Sequence, residues 1–238
     1  DIHKDIEYLY KLWDSISQLK DDAPSPSVVY EDLPLNLRTL RDLVHSNIER
    51  VRIDSRDSYE DAIKFTQNFI PEFVTRIEQY SGERPILDLY SIEDEILKSL
   101  NRKVPLKSGG HLILDQTEAM TTVDVNTGAF VGHKTYEETI YKTNLEASQV
   151  ICRQLRLRNL GGIIIIDFID MASAEHGRQV LCSLEKHLER DTSKYSISEL
   201  TSLGLVQLTR KRTRESLGQV LCESCPTCDG IGKIKTTE

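Results

Sequence analysis

Several features of a membrane or secreted protein are missing from this sequence. No apolar run approaches the roughly 20 residues that a membrane-spanning helix needs. No secretory signal opens the chain, and the first residue is Asp1 rather than Met, so the sequence reads as a fragment. Cysteine is sparse, with five in 238 residues, and Cys222, Cys225 and Cys228 crowd near the end. That is a poor disulfide framework and points to a reduced, metal-using, cytoplasmic protein. The phosphate-loop, G-x-S-x-G and H-E-x-x-H patterns are absent, which removes three common enzyme readings. His176 and His187 have no companion histidine at ligand spacing and read as ordinary helix residues. Aromatics make up 6% of the chain and are few in its second half, so stacking platforms for nucleobases are scarce there.

What is present is an ordinary globular mix, 39% hydrophobic and 29% charged, sufficient for one large domain or two small ones. The net charge of -8 is unevenly spread: residues 1–100 carry 12 basic and 21 acidic groups, residues 101–238 carry 18 and 17. The near-neutral second part concentrates its basic groups locally, which leaves room for a polyanionic partner.

Periodicity divides the chain. Ile2, Ile6, Leu9, Trp13 and Ile16 form one helix face, ended before the proline-containing linker Asp21–Ser27. Val28–Tyr30 reads as a short strand, Leu37, Leu40, Val44 and Ile48 as a helix face, and Val51–Asp54 as a strand. A helix over Asp57–Ile70 is stopped by Pro71. A further helix over Ser91–Leu100 has Ser91 as N-cap and three acids in its first turn. Residues 1–100 show no catalytic pattern and read as mixed α/β support. From Val104 the texture turns to strands at Val104–Leu106, His111–Asp115 and Ala119–Asn126, with a Ser108-Gly109-Gly110 turn. Alternation puts Asp124 and Asn126 on one face of the third strand. Glu137–Arg158 is the clearest helix, with Ile140, Ala147, Ile151 and Leu155 on one side. Lys142, Gln149, Arg153 and Arg156 form a stripe nearly opposite, either a solvated face or a basic contact surface. Asn144 falls within the apolar face; a buried amide needs partners, so it holds a turn or orients a carboxylate.

The stretch Gly161–Met171, GGIIIIDFIDM, organises the rest. Four consecutive isoleucines predict a strand inside a sheet with both faces covered. The glycines are expected to end the preceding helix. The strand stops at Asp167, with Asp170 close behind; an acid at the exit of a buried strand is a common place for ligand chemistry, or simply a cap of the next helix. Glu175–Glu189 is amphipathic through Val180, Leu184 and Leu188. Leu203–Leu208 reads as a strand leading into Arg210-Lys211-Arg212-Thr213-Arg214, the densest basic run.

Two constellations carry chemistry. Asp124, Asn126 and Asp167 at neighbouring strand ends make a hard-oxygen site suited to hydrated Mg²⁺, which can polarise a phosphoryl oxygen and activate water. Cys225-Pro226-Thr227-Cys228, followed by glycines, offers two thiolates of a zinc tetrahedron. With no second C-x-x-C, the economical solution is a zinc shared between two chains. Cys222 could add a third thiolate, an iron–sulfur cluster lacks its fourth, and an unmetallated tail is the plain alternative. Cys152 and Cys182 read as core helix residues.

Taken together, TTVDVNTGAFVG (121–132), KTNLEASQVICRQLRLRNLGGIIIIDFIDM (142–171), LTRKRTRESL (208–217) and CPTCDGIG (225–232) resemble the ribonuclease E/G family, nearer its G branch. The resemblance is specific from Val104 onward and looser before it. It implies an α/β fold: residues 1–27 ending a 5′-sensing region, a ribonuclease-H-like structural subdomain at 28–103, a deoxyribonuclease-I-like catalytic subdomain at 104–220, and a zinc-link at 221–238. It implies that Asp124 and Asp167 bind the catalytic Mg²⁺, that Asn126 supports them, and that Cys225 and Cys228 form a Zn²⁺ link between the protomers of a homodimer. Lys194 stands where some relatives place an arginine assisting the pocket for a 5′-monophosphate. The family's S1 RNA-binding domain and most of its 5′-sensing region are expected upstream of these residues.

The implied activity is endonucleolytic cleavage of single-stranded RNA to 5′-phosphate and 3′-hydroxyl ends, in RNA processing and decay including rRNA maturation. Arg153, Arg156, Arg210, Lys211 and Arg212 are then candidates for phosphate contacts, together with Lys194. The competing reading is a zinc-linked RNA-binding or assembly module without hydrolytic activity. A chaperone-type zinc module is weaker still, because that class repeats C-x-x-C-x-G-x-G and here it occurs once.

Overall fold

The computed structural model describes residues 2–43, 48–128, 136–201, 203–230 and 232–236. Val44, the stretch 129–132 of the TTVDVNTGAFVG motif and Ile231 lie outside them. The chain divides into two compact units, Asp1–Ser91 and Ile92–Glu238.

The first unit holds α1 (Ile2–Asp22), α2 (Leu35–Leu43), β1 (Val51–Ile53), α3 (Arg56–Phe69), a 3₁₀ turn at Pro71–Arg76, β2 (Ile77–Gln79) and α4 (Ile86–Leu89). β1 and β2 pair in parallel. Leu40, Ala62 and Phe65 form a small core, with Tyr8, Phe69 and Ile70 packed on it. Ser55 caps α3 by accepting from the Ser58 N–H, and Pro71 follows the C-cap at Ile70, where a missing N–H stops the helix. Val28–Tyr30 is not a strand and pairs with none of the described residues, and Val28 is exposed. Ile48 lies outside α2.

The second unit comprises α5 (Ile92–Leu100), β3 (Lys103–Pro105), β4 (His111–Gln116), β5 (Met120–Asn126), α6 (Tyr136–Leu157), β6 (Gly162–Asp167), α7 (Ala174–Leu188), β7 (Tyr195–Ile197), β8 (Leu205–Arg210) and α8 (Leu217–Leu221). The sheet order is β3-β4-β5-β6-β8-β7, with β5 and β6 the parallel pair. Their connection runs through α6, as a parallel crossover requires. Ser91 precedes α5 with φ +53, not in the extended conformation of an ordinary N-cap. Leu203 and Gly204 lie outside β8, which instead continues through Arg210. Among the described residues no helix is long and apolar enough to cross a membrane.

The isoleucine run is central, as its composition requires, but among the described residues only one of its faces is covered. Ile164 and Ile166 are fully buried among Leu112, Val123, Ile151, Leu155, Val180, Leu184 and Leu208. Ile163 is 48% exposed, and Ile165 is half-buried. The reason is that α6 and α7 pack together and contribute to the same core, on one side of the sheet. β-branching suits the residues to a strand on either face; it does not say how many layers cover it. The helix cap also differs. Asn159 (φ +48) takes the left-handed position after α6, and the Leu160 N–H returns to Leu155 O. Gly161 serves a close approach instead: a Cβ there would lie 2.9 Å from Arg212 Cα. Cys152 is buried as expected, whereas Cys182 is exposed, on the outer side of α7.

Candidate active site

The uncovered face of the sheet gathers the chemistry. Along β5, Thr121, Val123 and Val125 are buried and Asp124 is exposed, so strand alternation aims Asp124 and Asn126 away from the core. β6 does the same, with Ile166 buried and Asp167 exposed. Asp124 and Asp167 are register partners across the parallel pair. Neighbouring strands lie about 4.8 Å apart, so two acids 43 positions apart in sequence share one strand-tip edge. Asn126 Nδ2 donates to Asp124 Oδ2 at 2.9 Å, fixing one carboxylate oxygen and leaving the other for a ligand.

Asp167 has its pKa raised. Partial burial is the largest cause, and the like charges of Asp124 and Asp170 add to it. A divalent cation relieves that repulsion. Among the described residues no three His, Cys, Asp or Glu side chains gather closely enough to hold a metal. Asp170 adds like charge to Asp167, and the candidate donor set is the two register-paired carboxylates. Mg²⁺ takes one or two carboxylates and keeps several waters, so the set fits a hydrated ion of that kind.

The surroundings of the pair are held by backbone contacts. A Cβ on Gly110 would lie 2.4 Å from Asn126 O, and one on Gly128 (φ +70) 2.3 Å from Gly109 O. Only glycine permits this packing of the 107–110 turn against the end of β5. The Glu146 carboxylate of α6 holds the same turn, accepting from the Lys107 and Ser108 N–H groups, the second at 2.8 Å. Asn144, with no exposed surface, receives the Ile169 N–H at 3.1 Å and donates to Ile169 O at 2.8 Å. It holds the turn that follows Asp167. Arg102 was not singled out by sequence. Its guanidinium binds Asp115, one Nη donating at 2.7 Å, and its pKa is raised by Asp115 first and also by Asp124. Asp115 shares the parity of His111 and Ile113 on β4, which is the signal that could have placed it on this face.

The basic residues lie elsewhere. Arg156, Lys194, Lys211 and Arg214 line an open cleft of about 860 Å³ with Leu157, Leu217 and Val220. It adjoins the Gly162–Arg210 end of β6 and β8, five residues from the Asp167 row, or roughly 17 Å at the rise of a strand. Arg153 is exposed and paired with Glu95 at 2.6 Å. Arg212 reaches Gly161 O at 3.3 Å. Arg210 borders the same cleft but is engaged differently: it is 5% exposed, binds both Asp191 oxygens at 2.7 and 3.0 Å, and donates to Leu160 O at 2.9 Å. Each of its three nitrogens donates within the fold, so its burial ties it first to Asp191 and Leu160.

At the C-terminal end Cys225 is exposed and Cys228 half-buried. The Asp229 N–H closes the turn on Cys225 O at 2.8 Å, and the Gly232 N–H points to Cys228 Sγ at 3.3 Å. Backbone N–H groups of Thr227 and Cys228 pull the Cys225 thiol pKa down. Cys222 is exposed at the end of α8 and does not gather with the other two.

A mixed α/β sheet with two acids paired at parallel strand tips is the frame in which sequence relationships gain meaning. Residues 1–213 match the family model described as the Ribonuclease E/G family, and the chain belongs to that family. It is 54% identical over its whole length to ribonuclease G of Salmonella typhimurium (strain SL1344) and 52% to that of Escherichia coli (strain K12). Ribonuclease E of Haemophilus influenzae is 36% identical over 98% of the chain. The chain spans about half the length of the ribonuclease G relatives, 49%, and 25% of that ribonuclease E.

Proposed function

We propose that this chain is the catalytic part of a Mg²⁺-dependent endoribonuclease that cuts single-stranded RNA to 5′-phosphate and 3′-hydroxyl ends, in RNA processing and decay including rRNA maturation. What supports the reading most is the register pairing of Asp124 with Asp167 on an uncovered strand-tip edge, in a chain of this family. Asp124 and Asp167 are the residues that would hold Mg²⁺. The ion, when bound, supplies charge neutralisation at the phosphodiester and a water of lowered pKa. Asn126 keeps one Asp124 oxygen occupied, so that the free oxygen faces the ligand. Arg153, Arg156, Lys194, Lys211 and Arg212 take phosphates along the strand, a sequence-independent grip that weakens with salt. Arg153 exchanges its Glu95 partner to do so.

In the same reading residues 1–27 close a 5′-sensing region, 28–103 are a ribonuclease-H-like support, 104–220 a deoxyribonuclease-I-like catalytic subdomain and 221–238 a zinc-link. Cys225 and Cys228 each give a thiolate to a Zn²⁺ shared with a second copy, making a homodimer in the reducing cytoplasm. Two thiolates per chain match the four-ligand demand of structural zinc when two chains meet.

The test is cleavage of labelled single-stranded RNA in Mg²⁺ by the parent, Asp124→Asn and Asp167→Asn. Mg²⁺-dependent cuts by the parent that both variants lose support the nuclease. RNA binding without cutting in every sample replaces it with a passive RNA-binding module.

A further inference from the structure

We infer that Asn144 is a positioning residue for the acid pair, one that sets how tightly the site takes a divalent cation. The inference rests on the nuclease reading and goes beyond it, because Asn144 touches neither acid. It carries its effect through backbone. The β6 ladder ends at Asp167, whose register partners are Asp124 on one side and Leu205 on the other. Two residues later the Asn144 carboxamide pairs with both the N–H and the C=O of Ile169. That is the donor–acceptor pattern of one more ladder rung, supplied by a side chain. Asp167 is thereby fixed between a strand rung and an amide rung, where it would otherwise be the fraying last residue of its strand. Asp170 follows the clamped residue directly.

The same turn of α6 braces the other acid. Glu146 holds the N–H groups of Lys107 and Ser108. Thr143 Cγ2 lies 3.0 Å from where a Gly110 Cβ would stand, and that position is in turn 2.4 Å from Asn126 O. Residues 143–146 therefore touch the backbone beside both strand tips. A two-carboxylate site works only while the carboxyl groups keep their separation to within about 0.5 Å, and rigid elements hold such tolerances better than loops. A buried helix turn bonded to both flanking segments is such an element. Burying a primary amide simply to satisfy one peptide is the alternative, and it predicts lost stability with unchanged metal affinity.

The readout is therefore Mn²⁺ binding, as a substitute for Mg²⁺, followed by the electron paramagnetic resonance of the free ion without RNA. N144L keeps the side-chain volume and removes both bonds. Ser148→Ala serves as a control: Ser148 is buried on the same helix and bonds Ser183 of α7 at 2.8 Å, away from the acids. The parent should show a site that Asp124→Asn and Asp167→Asn abolish. N144L should bind Mn²⁺ about 10–100-fold more weakly, the usual cost of losing an outer support of a metal ligand, while S148A binds like the parent. In cleavage assays the Mg²⁺ midpoint should rise by the same factor with RNA affinity unchanged. Parent-like binding by N144L overturns the inference and leaves the nuclease reading standing. Equal weakening in N144L and S148A also overturns it, because the effect is then general loosening of α6 on α7. A parent without a site sensitive to Asp124 and Asp167 sinks the metal-dependent reading itself. Should N144L fail to fold, N144S removes the amide with less crowding, and the same two outcomes decide.

Discussion

The Arg210–Asp191 pair gives the sharpest energetic test, because Arg210 is a candidate phosphate contact that the fold also ties into a buried ion pair. The side chains are 5% and 2% exposed and meet through two hydrogen bonds. Arg210 also holds Leu160 O, and Asp191 receives the Ser193 N–H at 2.9 Å. Asp191→Asn keeps the shape and removes the charge, stranding a buried guanidinium. Breaking one side of such a pair costs about 3–5 kcal/mol. For a unit of this size a loss of 1 kcal/mol lowers Tm by about 2–4 °C, so the expected drop is roughly 6–20 °C. Burial works to raise the Asp191 pKa, but bonding to Arg210 and the Ser193 N–H outweighs it and holds the carboxyl below its ordinary value. The sign follows: a depressed acid stabilises above its unfolded pKa of about 3.9, and that contribution is lost as pH falls through the lower folded value. The parent-minus-variant gap should be full at pH 7 and close in strong acid. Urea melts of the parent, Asp191→Asn, Arg210→Met and an Asp191→Leu plus Arg210→Met double variant measure it. The double variant should lose less than either single one, since no charge is left alone. A stable Arg210→Met protein with weakened RNA binding would refute the buried-pair reasoning and return Arg210 to the RNA surface.

Other outcomes follow from the same structure. Asp167→Asn should raise Tm without divalent ions at neutral pH. The raised pKa of Asp167 means its destabilising charge develops as pH rises through that value, so the gain should vanish below about pH 4, under its unfolded pKa. Ile164→Ala should cost about 2–5 kcal/mol in denaturant melts, against little for Ile163→Thr on the open face. Lys211→Ala and Arg212→Ala should each weaken RNA binding uniformly across sequences and lower the salt slope by about one. Chelation, or Cys228→Ser, should convert a zinc-linked dimer to monomer by light scattering; a monomer retaining a full zinc per chain would contradict the shared site.

Local patterns carried much of the architecture into view. The 3.6-residue spacing of Ile140, Ala147, Ile151 and Leu155 marked α6 to within a residue at each end. The period-two alternation in β5 put Asp124 and Asn126 on one face. Both signals are local, so neighbours along the chain suffice to write them. Val28–Tyr30 had the composition of a strand and no partner among the described residues, and pairing is not written in three residues. The short β7 and α8 carried too little periodicity to be found.

What the sequence determined by itself is therefore which residues alternate, which face a core, and which family the motifs belong to. The tertiary structure alone decided which face of the isoleucine strand stays open, that Asp124 meets Asp167 in register, and that Asn144 reaches Ile169. It also decided that Arg210 turns inward to Asp191 while Lys211 and Arg214 turn outward. Each of these depends on a partner far away in the chain, and a side chain's role changes when that partner desolvates it or leaves it in water.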